Sequence, residues 1–207
     1  MAKLRPLHWL LCAVFAGVLA WSAHAPYDRA TWWMEVAPAL LALPVLAATR
    51  RRFPLTDLLY VLVTLHAVVL MAGGAYTYAR VPLGFEVQHW FGLARNPYDK
   101  LGHFMQGLVP ALVAREILLR RGYLRRGPML GFVCLCIVMA ISAWYELIEW
   151  AAAVSLGQGA DEFLGTQGDP WDTQSDMLMT MLGGVFALLF LARRQDRQID
   201  LLRRGAG

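Results

Sequence analysis

Residues 129–156 read MLGFVCLCIVMAISAWYELIEWAAAVSL. This run is longer than the roughly 20 residues a helix needs to cross a bilayer. It carries no charge before Glu146 and Glu149, which stand three apart and therefore share one helix face. Working outward, apolar stretches recur at about 7–24, 33–49, 55–74, 101–119 and 175–192, with this one taken as 128–153. Charged or Gly/Pro-rich breaks separate them. Of 207 residues, 58% are hydrophobic and only 16% charged, and the mean hydropathy is +0.45. Soluble domains sit nearer 45–50% apolar and about 25% charged, so a soluble or disordered chain is excluded. The expected fold is all-α: one integral membrane domain over residues 1–207, a six-helix transmembrane bundle.

The cations give the orientation. Lys3 and Arg5 precede the first stretch, and Arg50, Arg51 and Arg52 follow the second. Arg115, Arg120, Arg121, Arg125 and Arg126 lie at or between the fourth and fifth, and Arg193, Arg194, Arg197, Arg203 and Arg204 follow the sixth. Of the 19 Lys and Arg, only Arg29, Arg80, Arg95 and Lys100 fall on the other side. The positive-inside rule then predicts a multi-pass membrane protein with both termini in the cytoplasm. Most of the 15 acids, Glu35 among them, lie at or beyond the outer boundary. The net charge of +4 is thus a topology signal. Nucleic acid is not expected as a partner, because the cations are split among short segments instead of forming one face. The first stretch also resembles a cleavable signal peptide, but six retained spans satisfy the charge rule. Cys12, Cys134 and Cys136 fall inside spans and read as small core residues, with no disulfide framework.

Two helix starts are alike. Asn96-Pro97-Tyr98-Asp99 runs on to His103, and Asp169-Pro170-Trp171-Asp172 runs on to Asp176. In each, the Asx caps, the Pro takes the first helical position and the Asp favours the positive end of the helix dipole. His103 and Asp176 each lie four residues past their Asp, on the same face and inside apolar sequence. Ionisable groups at such depth face a partner or a cavity. Glu146 lies about 28 Å along its helix from Gly127, near the outer boundary. Three helices therefore bring Asp99, His103, Glu146, Glu149, Asp172 and Asp176 to one level. These groups cannot all ionise together without cations. Some are protonated, or Lys100 and Arg95 pair with them, or a divalent metal is bound by a subset of the six. His103, Glu146 and Glu149 are the candidate catalytic groups, as general bases beside such a metal.

Other features read more simply. His66 is expected as a hydrogen-bonded core residue, and Asp57 as a dipole or Arg partner. Gln106 orients His103 or bonds a neighbouring helix. Gly73-Gly74 and Gly183-Gly184 suit close helix packing. Arg115-Glu116 marks the cytoplasmic exit of the fourth span. The outer segment 75–96 is read as a long aromatic loop, anchored in the interface or acting as a lid. Phe163 to Gly168 is read as a folded turn beside the site.

Several strings together resemble a known family. Tyr76-Thr77-Tyr78, Arg95-Asn96-Pro97-Tyr98-Asp99, His103-Phe104, Tyr145-Glu146-x-x-Glu149-Trp150 and Phe163-Leu164-Gly165-Thr166-Gln167-Gly168-Asp169-x-Trp171-Asp172 resemble the DUF2238, or YjdF-like, bacterial inner-membrane proteins. The resemblance covers about residues 73–184 and implies no assigned activity. Asp99-Lys100-x-x-His103, and Asp176 followed by Leu182-Gly183-Gly184, are also similar to VanZ-like membrane proteins, which implies a link to the cell surface. Three functions stand open. One is a metal-dependent enzyme acting at the outer face on a lipid-linked or envelope substrate. The others are a proton- or cation-coupled transporter and a non-catalytic envelope factor.

Overall fold

A computed structural model describes residues 5–156 and 167–204. Among them there are helices and no strands. α1 spans Pro6–His24, α2 Arg29–Thr49, α3 Asp57–Tyr76, α4 Pro82–Phe91, α5 Tyr98–Arg120 and α6 Pro128–Leu156. A last continuous helix, α7, spans Asp172–Arg204, with a π-helical turn at Ala187–Leu191. Lys3, Asp161, Glu162 and most of the turn expected at 163–168 lie outside the described residues.

Five of these helices, α1, α2, α3, α6 and α7, are long and apolar enough to cross a membrane. The sixth expected stretch, 101–119, lies inside α5. This helix has 23 residues and carries Asp99, Lys100, Arg115, Glu116 and Arg120. α5 can be polar because its neighbours cover it: it packs against α3, α6 and α7. Its contact with α7 is the most extensive between any two elements. The two run parallel, and their backbones touch through glycine. A Cβ on Gly107 would come within 1.8 Å of the Thr180 carbonyl oxygen, and one on Gly183 within 1.9 Å of the Phe104 carbonyl oxygen. Small residues at such a crossing let van der Waals contact replace the hydrophobic drive that lipid does not supply. Gly73 and Gly74 are likewise filled by neighbours, the Tyr78 ring and the Val36 side chain.

α3 carries the other half of the bundle, with α1 and α2 packed on it. Leu58, Leu59, Met105, Leu108, Leu112 and Val138 form one core cluster. Trp32, Val36, Ala67, Met71, Tyr78 and Tyr98 form another. Asp28 begins α2 as its cap, accepting from the Thr31 amide at 2.7 Å. That bond holds the Asp28 carboxyl below the usual carboxylate range.

The structure corrects several expectations. Cys134 is buried core, but Cys12 and Cys136 are exposed on the outside of the bundle. Segment 75–96 is not all loop, since it contains α4. Gly84 of α4 has no room for a side chain, because Asn96 Oδ1 lies 1.8 Å from where a Cβ would stand. Arg115 and Glu116, near the end of α5, are buried members of a polar network. Glu116 accepts from the Thr56 amide (3.0 Å), the Thr56 hydroxyl (2.8 Å) and Arg120 (2.7 Å). Arg115 donates to Gln195 at 3.0 Å and to Asp196 at 2.8 Å. Asp57 does pair with an arginine, Arg5.

Candidate functional site

The twin helix starts are held alike but begin later than expected, by one residue in α5 and by two in α7. α5 begins at Tyr98 and the first turn of α7 at Asp172, so Pro97 and Pro170 precede the helices instead of opening them. The Asx residues act two positions upstream of the chain they hold. Asn96 Oδ1 accepts from the Tyr98 amide at 3.0 Å, and Asp169 Oδ1 from the Trp171 amide at 2.9 Å. Asp and Asn favour such turns because their short side chains reach a backbone amide two residues on. The two starts are tied together by Gln167, which donates to the Asn96 carbonyl at 3.1 Å and accepts from the Asn96 amide at 3.3 Å.

One turn below these starts, Asp99, His103 and Asp176 meet. Each presents one ligand-type atom, and all three atoms lie within 4.8 Å of one another. His103 Nε2 is 3.5 Å from Asp99 and 3.7 Å from Asp176. The other ring nitrogen, Nδ1, faces Gln106 Oε1 at 3.2 Å. Thr180 also donates to that oxygen, at 3.0 Å. Gln106 therefore both orients His103 and bonds the neighbouring helix.

The other three expected ligands are placed differently. Asp172 faces Arg95 and Lys100, with Lys100 Nζ at 2.7 Å. Lys100 also reaches Asp176 at 2.6 Å, and Arg95 reaches Asp169 at 3.1 Å. The expected pairing with Lys100 and Arg95 is thus present. Burial works against the Arg95 charge, but the bond to Asp172 prevails and raises its pKa above the ordinary value. Glu146 stands on the Nδ1 side of His103, 4.0 Å away, and its buried Oε1 has no hydrogen-bond partner. Glu149 is absent from the cluster and lines a cavity of about 190 Å³ beside it.

That cavity brings in residues the sequence reading had not assigned to a site. Glu35 of α2 and Tyr145 of α6 line it together with Asp99, His103, Gln106 and Glu149. Tyr145 donates to Glu35 Oε2 at 3.1 Å, and its ring lies edge-on to His103, with centroids 6.2 Å apart. His66, read as a core residue, is also on the cavity wall. The signal for Glu35 was present: it is an acid near the start of an apolar stretch. What tied it to α5 was the packing of α2 on α3, which no local pattern encodes.

Comparisons with known proteins agree that this is a membrane protein. A family model described as "Predicted membrane protein (DUF2238)" matches residues 7–197, extending the resemblance through the first two helices. The chain is 60% identical over 182 residues to "Inner membrane protein YjdF" of Escherichia coli (strain K12), a match covering 88% of this chain and 87% of that one. No solved structure matches. With its apolar helices and buried acidic site, the chain belongs to the DUF2238 family and is an inner-membrane protein.

Proposed function

We propose that Asp99, His103 and Asp176 hold a divalent cation, and that the protein is a metal-dependent hydrolase or transferase acting at the outer face on a lipid-linked or envelope substrate. One observation carries the reading. His103 Nδ1 faces Gln106, which leaves Nε2 toward two carboxylates at 3.5 and 3.7 Å. A carbonyl oxygen on the far nitrogen is the usual outer-shell partner of a metal-bound histidine. A cation bonded to each of three ligands at about 2.1 Å keeps them roughly 3.4 Å apart in a tetrahedron. Glu149, on the cavity wall, accepts the proton of the attacking water or hydroxyl. Glu146, with its unpartnered buried oxygen, backs His103 as a further proton acceptor. Asp172 belongs with Arg95 and Lys100 and positions the two helix starts.

This reading takes α5 as a sixth crossing, with both termini in the cytoplasm. The burial of its polar residues among apolar neighbours supports that assignment, as does the distribution of cations. Elemental analysis of the purified protein tests the metal. About one divalent ion per chain is expected, lost in Asp176→Asn and His103→Ala. A metal-free wild type whose melting temperature is unmoved by Mg²⁺, Mn²⁺ or Zn²⁺ would sink the proposal.

A second reading has its own observation. Lys100 already neutralises Asp176 at 2.6 Å, so the remaining acids could carry protons or cations in a transporter. Gradient-driven uptake into proteoliposomes, abolished by Glu149→Gln, would favour that reading.

A further inference from the structure

A second, larger cavity of about 340 Å³ opens between α1, α2 and α3. Leu11, Phe15, Ala42, Leu46 and Val63 line its length. His8, Arg50 and Tyr60 stand at the end where α1 begins and α2 finishes. At the opposite end, Pro38, His66 and Leu70 also wall the smaller cavity, which contains Glu35, Asp99, His103 and Glu149. The two spaces therefore adjoin, with Pro38, His66 and Leu70 lining both. All three helices of the groove are long and apolar enough to lie in a membrane. α1 is the least embedded of them. Its buried residues are limited to Ser22, so the groove is closed by a helix that itself faces lipid. Along α2 the lining runs from Pro38 to Arg50, a rise of about 18 Å. The hydrocarbon core of a bilayer is about 30 Å thick. The groove is thus long enough for most of one extended acyl chain.

We propose that this groove holds the hydrocarbon chain of a lipid-linked substrate, with its polar head in the smaller cavity among Glu35, His66, His103 and Glu149. The proposal rests on the enzyme reading above and sharpens it, selecting a lipid-linked substrate over a water-soluble one. The chain direction follows from the lining. The ionisable groups of the metal cluster and cavity lie beyond His66, while the middle of the groove is chiefly apolar, the Thr64 hydroxyl there being bonded to the Tyr60 carbonyl. A structural lipid of the opposite leaflet, with its head beside Arg50, would lie the other way round.

The test reads that direction. Full-length protein in phosphatidylethanolamine and phosphatidylglycerol vesicles is photolabelled with two lysophosphatidylethanolamines. One carries a diazirine next to the headgroup and the other a diazirine at the chain end. The head-side probe is expected to mark α5 and α6 around His103 and Tyr145, and the tail-end probe α1 and α2 around Leu11 and Leu46. Ala42→Trp, which fills the groove, is expected to cut tail-end labelling at least tenfold with metal content unchanged. Reversed labelling, with the head-side probe at His8 and Arg50, overturns the proposal, as does labelling that Ala42→Trp leaves intact. The wild-type pattern alone decides if that variant does not fold. Metal analysis of the same samples keeps the two ideas apart. A metal-free protein labelled in the expected direction sinks the enzyme reading only. A metal-loaded protein labelled in reverse sinks the substrate assignment only.

Discussion

Asp172 and Asp176 sit one turn apart on α7, yet their surroundings separate them. Asp172 faces Arg95 and Lys100, whereas Asp176 faces Lys100 on one side and His103 on the other. Spacing four apart put both on one face, and that part was legible in the sequence. Which of them turns toward His103 depends on where Arg95 lies, and Arg95 belongs to a different segment. The expectation is that Asp172→Asn keeps the metal, while Asp176→Asn loses it. Asp172→Asn should still destabilise the fold by roughly 3 kcal/mol, the low end for breaking a buried pair. Arg95 retains Asp169 and Lys100 retains Asp176, which limits the damage. Metal analysis with a thermal melt of each variant checks both statements. Equal metal loss in the two would return Asp172 to the ligand set.

At the scale of elements, the pairing of α5 with α7 sets the site. Asp99 and His103 come from one helix and Asp176 from the other, and their distance depends on how closely the two backbones approach. Gly107 and Gly183 allow that approach, since each faces a backbone carbonyl at under 2 Å from a notional Cβ. Gly183→Ala should cost about 3 kcal/mol, the upper end for an inserted methyl, because backbone cannot rotate away as a side chain can. It should also weaken metal binding, since it pushes Asp176 away from His103. A lowered melting temperature with a raised metal Kd is the expected result. A variant that melts and binds like wild type would show that the crossing has slack. The Gly183-Gly184 pair was visible as a packing motif. Gly107, one of two separate glycines in α5, became meaningful only once its partner helix was known.

At the scale of the whole molecule, the crossing of the bundle turns on α5. α5 is more polar than the five helices that are long and apolar enough to cross, and it is buried because α3, α6 and α7 surround it. Six crossings with both termini in the cytoplasm place α4 outside and the α5–α6 connection inside. With Cys12, Cys134 and Cys136 replaced by Ser, single cysteines at Trp90 and Tyr123, both exposed, test this. An impermeant maleimide should label Trp90→Cys in intact cells whose outer membrane is opened, and Tyr123→Cys only after the inner membrane is opened. The opposite pattern would invert the topology. The sequence by itself determined that the chain is a helical membrane protein, where its apolar stretches run, and that acids and a histidine recur at helical spacing near one boundary. Those properties follow from local periodicity and from the cost of leaving polar groups in lipid. Only the tertiary structure decided which acids meet, that Glu35, Tyr145 and His66 join them across a cavity, and that an apolar groove adjoins it. Such contacts join residues far apart in the chain, and the packing of whole helices sets their distances.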